Sequence, residues 1–119
     1  MLNQITLVGK LTEDPIVETL ESGKQVVKIT LAVQRSFKNT DGFYKKDFIR
    51  CVLWDKLAIN ISESCKNGDV VGVIGRLQSQ SLEDKNGTRK FVTEVCAEKV
   101  TFLSHDKEKA KTPHDRDER

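Results

Sequence analysis

Phe43-Tyr-Lys-Lys-Asp-Phe-Ile-Arg-Cys-Val-Leu-Trp54 is the stretch from which the rest of the chain can be read. As an extended strand it alternates its side chains between two faces. Ile49, Cys51 and Leu53 fall on one face, apolar and suited to a core; Phe48, Arg50, Val52 and Trp54 fall on the other. The stretch admits two readings. Two flat rings with an arginine between them, and Lys45 and Lys46 just upstream, suit a surface that stacks bases and neutralises phosphates. Alternatively the strand is buried on both sides and the rings are core.

Upstream, Val27, Ile29, Leu31 and Val33 alternate with Lys28, Thr30, Ala32 and Gln34, which predicts a long half-buried strand running out through Arg35-Ser-Phe37. Asp41-Gly42 predicts a tight turn, because both residues tolerate positive φ. The strand ending at Phe37 and the one beginning at Phe43 then form an antiparallel hairpin, with Arg35 and Lys38 on one arm and Lys45 and Lys46 on the other. Downstream, Leu57, Ala58, Ile61 and Cys65 recur at helical spacing, with Asp55 placed to cap the first turn and Asn67-Gly68 to stop the helix.

Asp69 to Leu77 returns to β with bends expected at Gly72 and Gly75, and Gln78 to Leu82 extends it into a polar arm. Asn86-Gly87 predicts a second hairpin turn, flanked by Lys85, Arg89 and Lys90. The last strand, Phe91 to Phe102, turns Val95, Ala97 and Phe91 to the core, with a slip of phase before Val100 and Phe102, also a core residue. At the other end, Asn3 to Leu11 is β-forming with Gly9 at a bend, and Asp14-Pro15, extended Ile16–Leu20 and a turn at Ser22-Gly23 follow. Three strands, one helix and two strands is the order of an all-β, five-stranded OB-fold barrel with its helix between strands 3 and 4.

The chain has 119 residues, 37% hydrophobic and 32% charged, enough for one domain, expected over residues 1–104. No apolar run approaches the roughly 20 residues of a membrane span, and the opening lacks the pattern of a secretory signal, so a cytoplasmic protein is expected. Cys51, Cys65 and Cys96 are odd in number, widely spaced and far from both histidines, which predicts buried free thiols and no metal or other cofactor. His105 and His114 lie in the last polar segment, and no catalytic constellation is evident; an enzyme is not expected. Residues 105–119 mix both signs of charge and are expected to form a disordered tail. Net charge is +2, and that tail is balanced, so any phosphate-binding surface must come from local placement.

Met1-Leu-Asn-Gln-Ile-Thr-Leu-Val-Gly-Lys-Leu-Thr-Glu-Asp-Pro15, Lys28 to Phe37, Asp47 to Ala58, Lys66-Asn-Gly68, Gly75-Arg-Leu77 and Val92-Thr-Glu-Val95 together resemble the bacterial single-stranded-DNA-binding proteins over residues 1–103. The resemblance implies a homotetramer that wraps single-stranded DNA without sequence preference, associated with the nucleoid and acting in replication, recombination or repair. It places the base-stacking rings at Phe37, Phe48 and Trp54, and backbone contacts at Arg50 and Lys56. Arg35, Lys45, Lys46, Lys85, Arg89 and Lys90 are added from their places on the two hairpins. The chain departs from the family pattern twice. Leu82 stands where an aromatic is usual on the outer fourth strand, and the end, Asp115-Arg-Asp-Glu-Arg119, lacks the acidic, apolar-tipped segment that recruits replication and repair enzymes. A different class also fits the aromatic face: an OB-fold adaptor of a primosome or replication complex that docks protein instead of DNA.

Overall fold

The computed structural model describes residues 1–105. The predicted tail falls, His105 apart, outside the described residues. The elements run β1 (Ile5–Leu11), β2 (Glu18–Thr19), β3 (Gln25–Lys38), β4 (Tyr44–Trp54), α1 (Lys56–Ser64), β5 (Val70–Glu83) and β6 (Arg89–Ser104). The sheet order is β1-β5-β6-β4-β3-β2, and a further pairing of β1 with β3 closes the five longer strands into a barrel. One pairing is parallel: β4 meets β6 through Cys51–Val95 and Val52–Cys96. This is the expected OB-fold, with α1 between the third and fourth barrel strands. Of the extended segment expected at Ile16–Leu20, only the two-residue β2 forms, against Val26 and Gln25.

The odd-numbered apolar residues of the two central strands fill the core. Val27, Ile29 and Leu31 of β3 lie across from Leu53, Cys51 and Ile49 of β4. Val71, Val73 and Val95 join them from β5 and β6, and Ala58 and Ile61 of α1 close the end. Two glycines mark where the wall is tightest. A Cβ on Gly9 would lie 2.7 Å from the Ala32 carbonyl oxygen, and one on Gly75 would lie 2.2 Å from that of Cys96. At Gly9–Lys10 the first strand leaves β5 and takes up β3, the corner that the glycine permits. Beside Gly75 the ladder skips from Ile74–Lys99 to Gly75–Ala97, so Glu98 is a bulge; this is the phase slip legible in the sequence before Val100.

Both long hairpins turn at the expected places, but by another geometry. Asn39 N–H donates to the Phe43 carbonyl, and the Asn39 side-chain oxygen accepts from the N–H groups of Asp41 and Phe43. Asp84 repeats this against Asn86 and Thr88. Only Gly42 and Gly87 take positive φ there, so each turn is a longer loop with one left-handed residue, not a two-residue turn. Asp55 is a second correction. It makes no cap bond to α1; its carboxylate accepts from the Gln25 N–H at 3.2 Å, and its own N–H donates to the Gln25 carbonyl. Those bonds hold it at φ 51 and tie the end of β4 to the start of β3. The helix ends at Ser64, and Gly68 belongs to the following turn, where Asp69 N–H donates to the Lys66 carbonyl.

Candidate nucleic-acid interface

Strands β3, β4, β5 and β6 run beyond the barrel as two arms, and on the regular stretches 26–34, 46–54, 76–82 and 90–96 the even-numbered side chains share one face. Cross-strand pairs fix this: Trp54 with Val26, Val52 with Lys28, Arg50 with Thr30 and Phe48 with Ala32 on the first hairpin, and Gln78 with Glu94, Gln80 with Val92 and Leu82 with Lys90 on the second. Between the hairpins lies a groove of about 250 Å³. Val26, Val52 and Val92 give it an apolar floor; Trp54, Leu20 and Leu82 flank it; Lys28, Arg50, Gln80 and Glu94 supply its polar groups. An apolar slot with a few polar groups is the usual form of a ligand-binding site.

The opening stretch is covered on both faces only where β4 lies in the barrel wall, and neither of its two even-face rings is core. Val52 is 3% exposed, covered on the even face as well as the odd one. Phe48, four residues nearer the tip, is 65% exposed. The barrel ends between them, so the outer residue has nothing to pack against. Trp54 is half-buried at the groove's other end, with the Lys24 ammonium 6.0 Å from its ring centroid. Phe37, also 65% exposed, stands in the irregular part of β3 between Gln34 and Lys38.

The basic residues divide. Lys46, opposite Gln34, shares the even face with Phe48 and Arg50. Lys56 is exposed at the first position of α1, two residues past Trp54. Lys90 lies opposite Leu82 on the groove side of the second arm, Arg89 opposite Glu83 on the other side, and Lys85 in the turn. Arg35 is not brought to the groove. It sits on the odd face, where its Nε and Nη2 donate to the two oxygens of Asp47 at 3.0 and 2.9 Å. The hydrogen bonds and nearby charge of Arg35 hold the Asp47 carboxyl below its ordinary range, and Asp47 raises Arg35 in return. Lys45, whose charge also lowers Asp47, belongs to the same odd-face group.

Two expected core residues are surface. Phe91 is 75% exposed, because it lies on the second arm, where no barrel interior remains. Phe102 is also exposed and meets the His105 ring at a tilt of 59°, centroids 4.8 Å apart. Cys51 and Cys65 are buried free thiols, and Cys96 is half-buried. Burial, with help from the charge of Glu94, pushes the Cys51 thiol up to about 12, far from a nucleophile's range. Lys28 and Glu94 line the groove although neither is among the expected site residues; their even numbering, in phase with Arg50 and Trp54, is the sequence signal that places them there.

A closed five-stranded barrel with its helix between the third and fourth barrel strands, and a groove lined by Trp54, an apolar floor and cations on its outer face, defines a class: the OB-fold proteins. The chain belongs to the single-strand binding protein family, matching it over residues 2–103. It is 46% identical over 103 residues to single-stranded DNA-binding protein B of Bacillus subtilis, covering 87% of this chain and 91% of that one. Against single-stranded DNA-binding protein 2 of Listeria monocytogenes the identity is 48% over 103 residues, and against protein A of Bacillus subtilis 48%. Here the match covers 87% of this chain but only 64% and 60% of those relatives. The family is one of binding proteins, not enzymes. Among the described residues no helix is long and apolar enough to cross a membrane, and no cluster of ligating side chains is suited to a metal.

Proposed function

We propose that the chain binds single-stranded DNA along the even face of β4. Bases stack on Phe48, Trp54 and Phe37, while Arg50, Lys56, Lys46 and Lys90 neutralise phosphates. Lys85 and Arg89 at the second tip add to the field, and Lys45 and Arg35, on the opposite face, contribute least. The single observation that carries this reading is the exposure of Phe48 in line with Arg50 and Trp54 along a groove that the barrel does not fill. Stacking works on any base, so such a surface binds without sequence preference. Its role is to protect unpaired strands during replication, recombination or repair, in the cytoplasm and with the nucleoid, with residues 1–104 as the binding domain.

A homotetramer is the proposed assembly. Family resemblance supports it, and so do large apolar side chains exposed away from the groove, among them Val8, Leu77, Phe91 and Leu103. Light scattering should give about four times the chain's 13.5 kDa; a mass of one chain would remove this part of the proposal. Recruited replication or repair proteins are a further proposal, tested by pull-down with the full chain.

The sequence holds one tryptophan, Trp54. Adding an oligo-thymidine should quench its fluorescence, and affinity should fall as salt rises, because bound phosphates release counterions. An adaptor that docks protein through the same face would show neither the quench nor the salt slope.

A further inference from the structure

Glu94 is out of place in a groove built for a polyanion. It is 6% exposed, yet its carboxylate lines the groove beside Arg50 and Lys28 and forms an ion pair with neither. One oxygen, Oε1, accepts from the Gln78 side-chain amide at 3.1 Å. That is its sole side-chain partner among the described residues. No buried polar side-chain atom there lacks a partner, so the second oxygen reaches solvent, and the opening it meets is the groove. A carboxylate repels phosphate. A strand laid in the groove therefore brings a neutral group, not a phosphate, over this point, and a donor on that group replaces the water that the oxygen otherwise holds. The groove's volume, about 250 Å³, is room enough for one planar base.

We propose that Glu94 reads a base edge: its free oxygen accepts a hydrogen bond from the exocyclic amino group of a base in the groove, biasing an otherwise indifferent surface toward cytosine or adenine over thymine. Carboxylates accept well from the amino group of cytosine. Thymine has one edge N–H, set between two carbonyl oxygens that an approaching carboxylate must also face. Gln78 holds Glu94 in place and takes up the oxygen turned away from the base. This inference rests on the proposed binding of DNA along the groove.

The test compares two oligomers of equal length, thymidine and 5-methyl-deoxycytidine, whose bases share shape and methyl group and differ in the edge presented. Trp54 quenching at neutral pH and fixed salt gives both affinities for the wild type and for Glu94→Gln. The affinity ratio, 5-methylcytosine over thymine, should fall about fivefold in the variant, the lower end of base-edge discrimination. Glu94→Asp keeps the charge and withdraws the carboxylate by one methylene; its ratio should fall too, and it serves if the glutamine variant does not fold. If both oligomers tighten equally in Glu94→Gln, the carboxylate is only a repulsive charge and the inference is overturned. If the wild type binds neither oligomer, the proposed function fails first and takes the inference with it.

Discussion

Both long hairpins leave the barrel through a turn of one design, closed by Asn39 and Gly42 in the first and by Asp84 and Gly87 in the second. Beyond the turns their groove faces differ. The first arm presents Phe48 and Lys46 above Arg50 and Trp54. The second presents Leu82, Gln80 and Gln78, with Lys90 as its cation. Turn chemistry therefore decides that an arm exists, and the even-numbered residues decide what it can grip. On this account the first arm stacks bases, and the second mainly walls the groove.

The largest expected effect lies in the rings of the first arm. Phe48→Ala and Trp54→Ala should each cost roughly 1–3 kcal/mol of binding, so the double variant should lose about thirtyfold or more in affinity for oligo-thymidine. Fluorescence anisotropy of a labelled oligomer measures this without relying on Trp54. Next in size, Leu82→Trp should give the second arm the platform it lacks and tighten binding by about 1 kcal/mol in the same assay, the lower end for one stacked base; no gain would mean that DNA does not reach this arm.

A smaller effect separates the two faces of the first arm. Arg50→Ala should lower the slope of log affinity against log salt by about 1, and Arg35→Ala should leave it unchanged. Arg35 is held by Asp47, whose folded pKa is depressed; the pair's contribution is present above the ordinary carboxylate range and lost only as pH falls through the lowered value. At neutral pH Arg35 therefore stays engaged. A last effect, on stability and not on binding, lies in the wall common to both arms. Cys51 titrates near 12 when folded, so above its ordinary range the unfolded chain sheds a proton that the folded chain keeps, and stability falls as pH rises. Urea unfolding at pH 8 and 10 should differ by about 1–2 kcal/mol, and Cys51→Ala should reduce that difference.

The barrel was legible because the apolar pattern fixes parity. Val27, Ile29 and Leu31 must face inward with Ile49, Cys51 and Leu53, whatever the turn between them. Counting outward from a two-residue Asp41-Gly42 turn would have paired odd with even residues; the longer turn and the irregular stretch between Gln34 and Lys38 restore the register that the core demands. Where the barrel stops, the pattern says less. Phe91 continues the phase of Val95 and Ala97 and still faces solvent, because strand length beyond the wall is not written in periodicity. Arg35 and Arg50 look alike as sequence, and only the ion pair with Asp47, across the ribbon from Phe48, tells them apart. Glu94 is not legible as part of a phosphate-binding surface, because a carboxylate repels phosphate, though its place one residue before Val95 sets it on the groove side.

The most direct test of the central claim is photo-crosslinking with an oligomer carrying 5-iodo-deoxyuridine, followed by peptide mapping. Crosslinks at Phe48 and Trp54, lost when salt releases the strand, are the predicted result. Crosslinks confined to Phe91 and Phe102, exposed rings away from the groove, would contradict it.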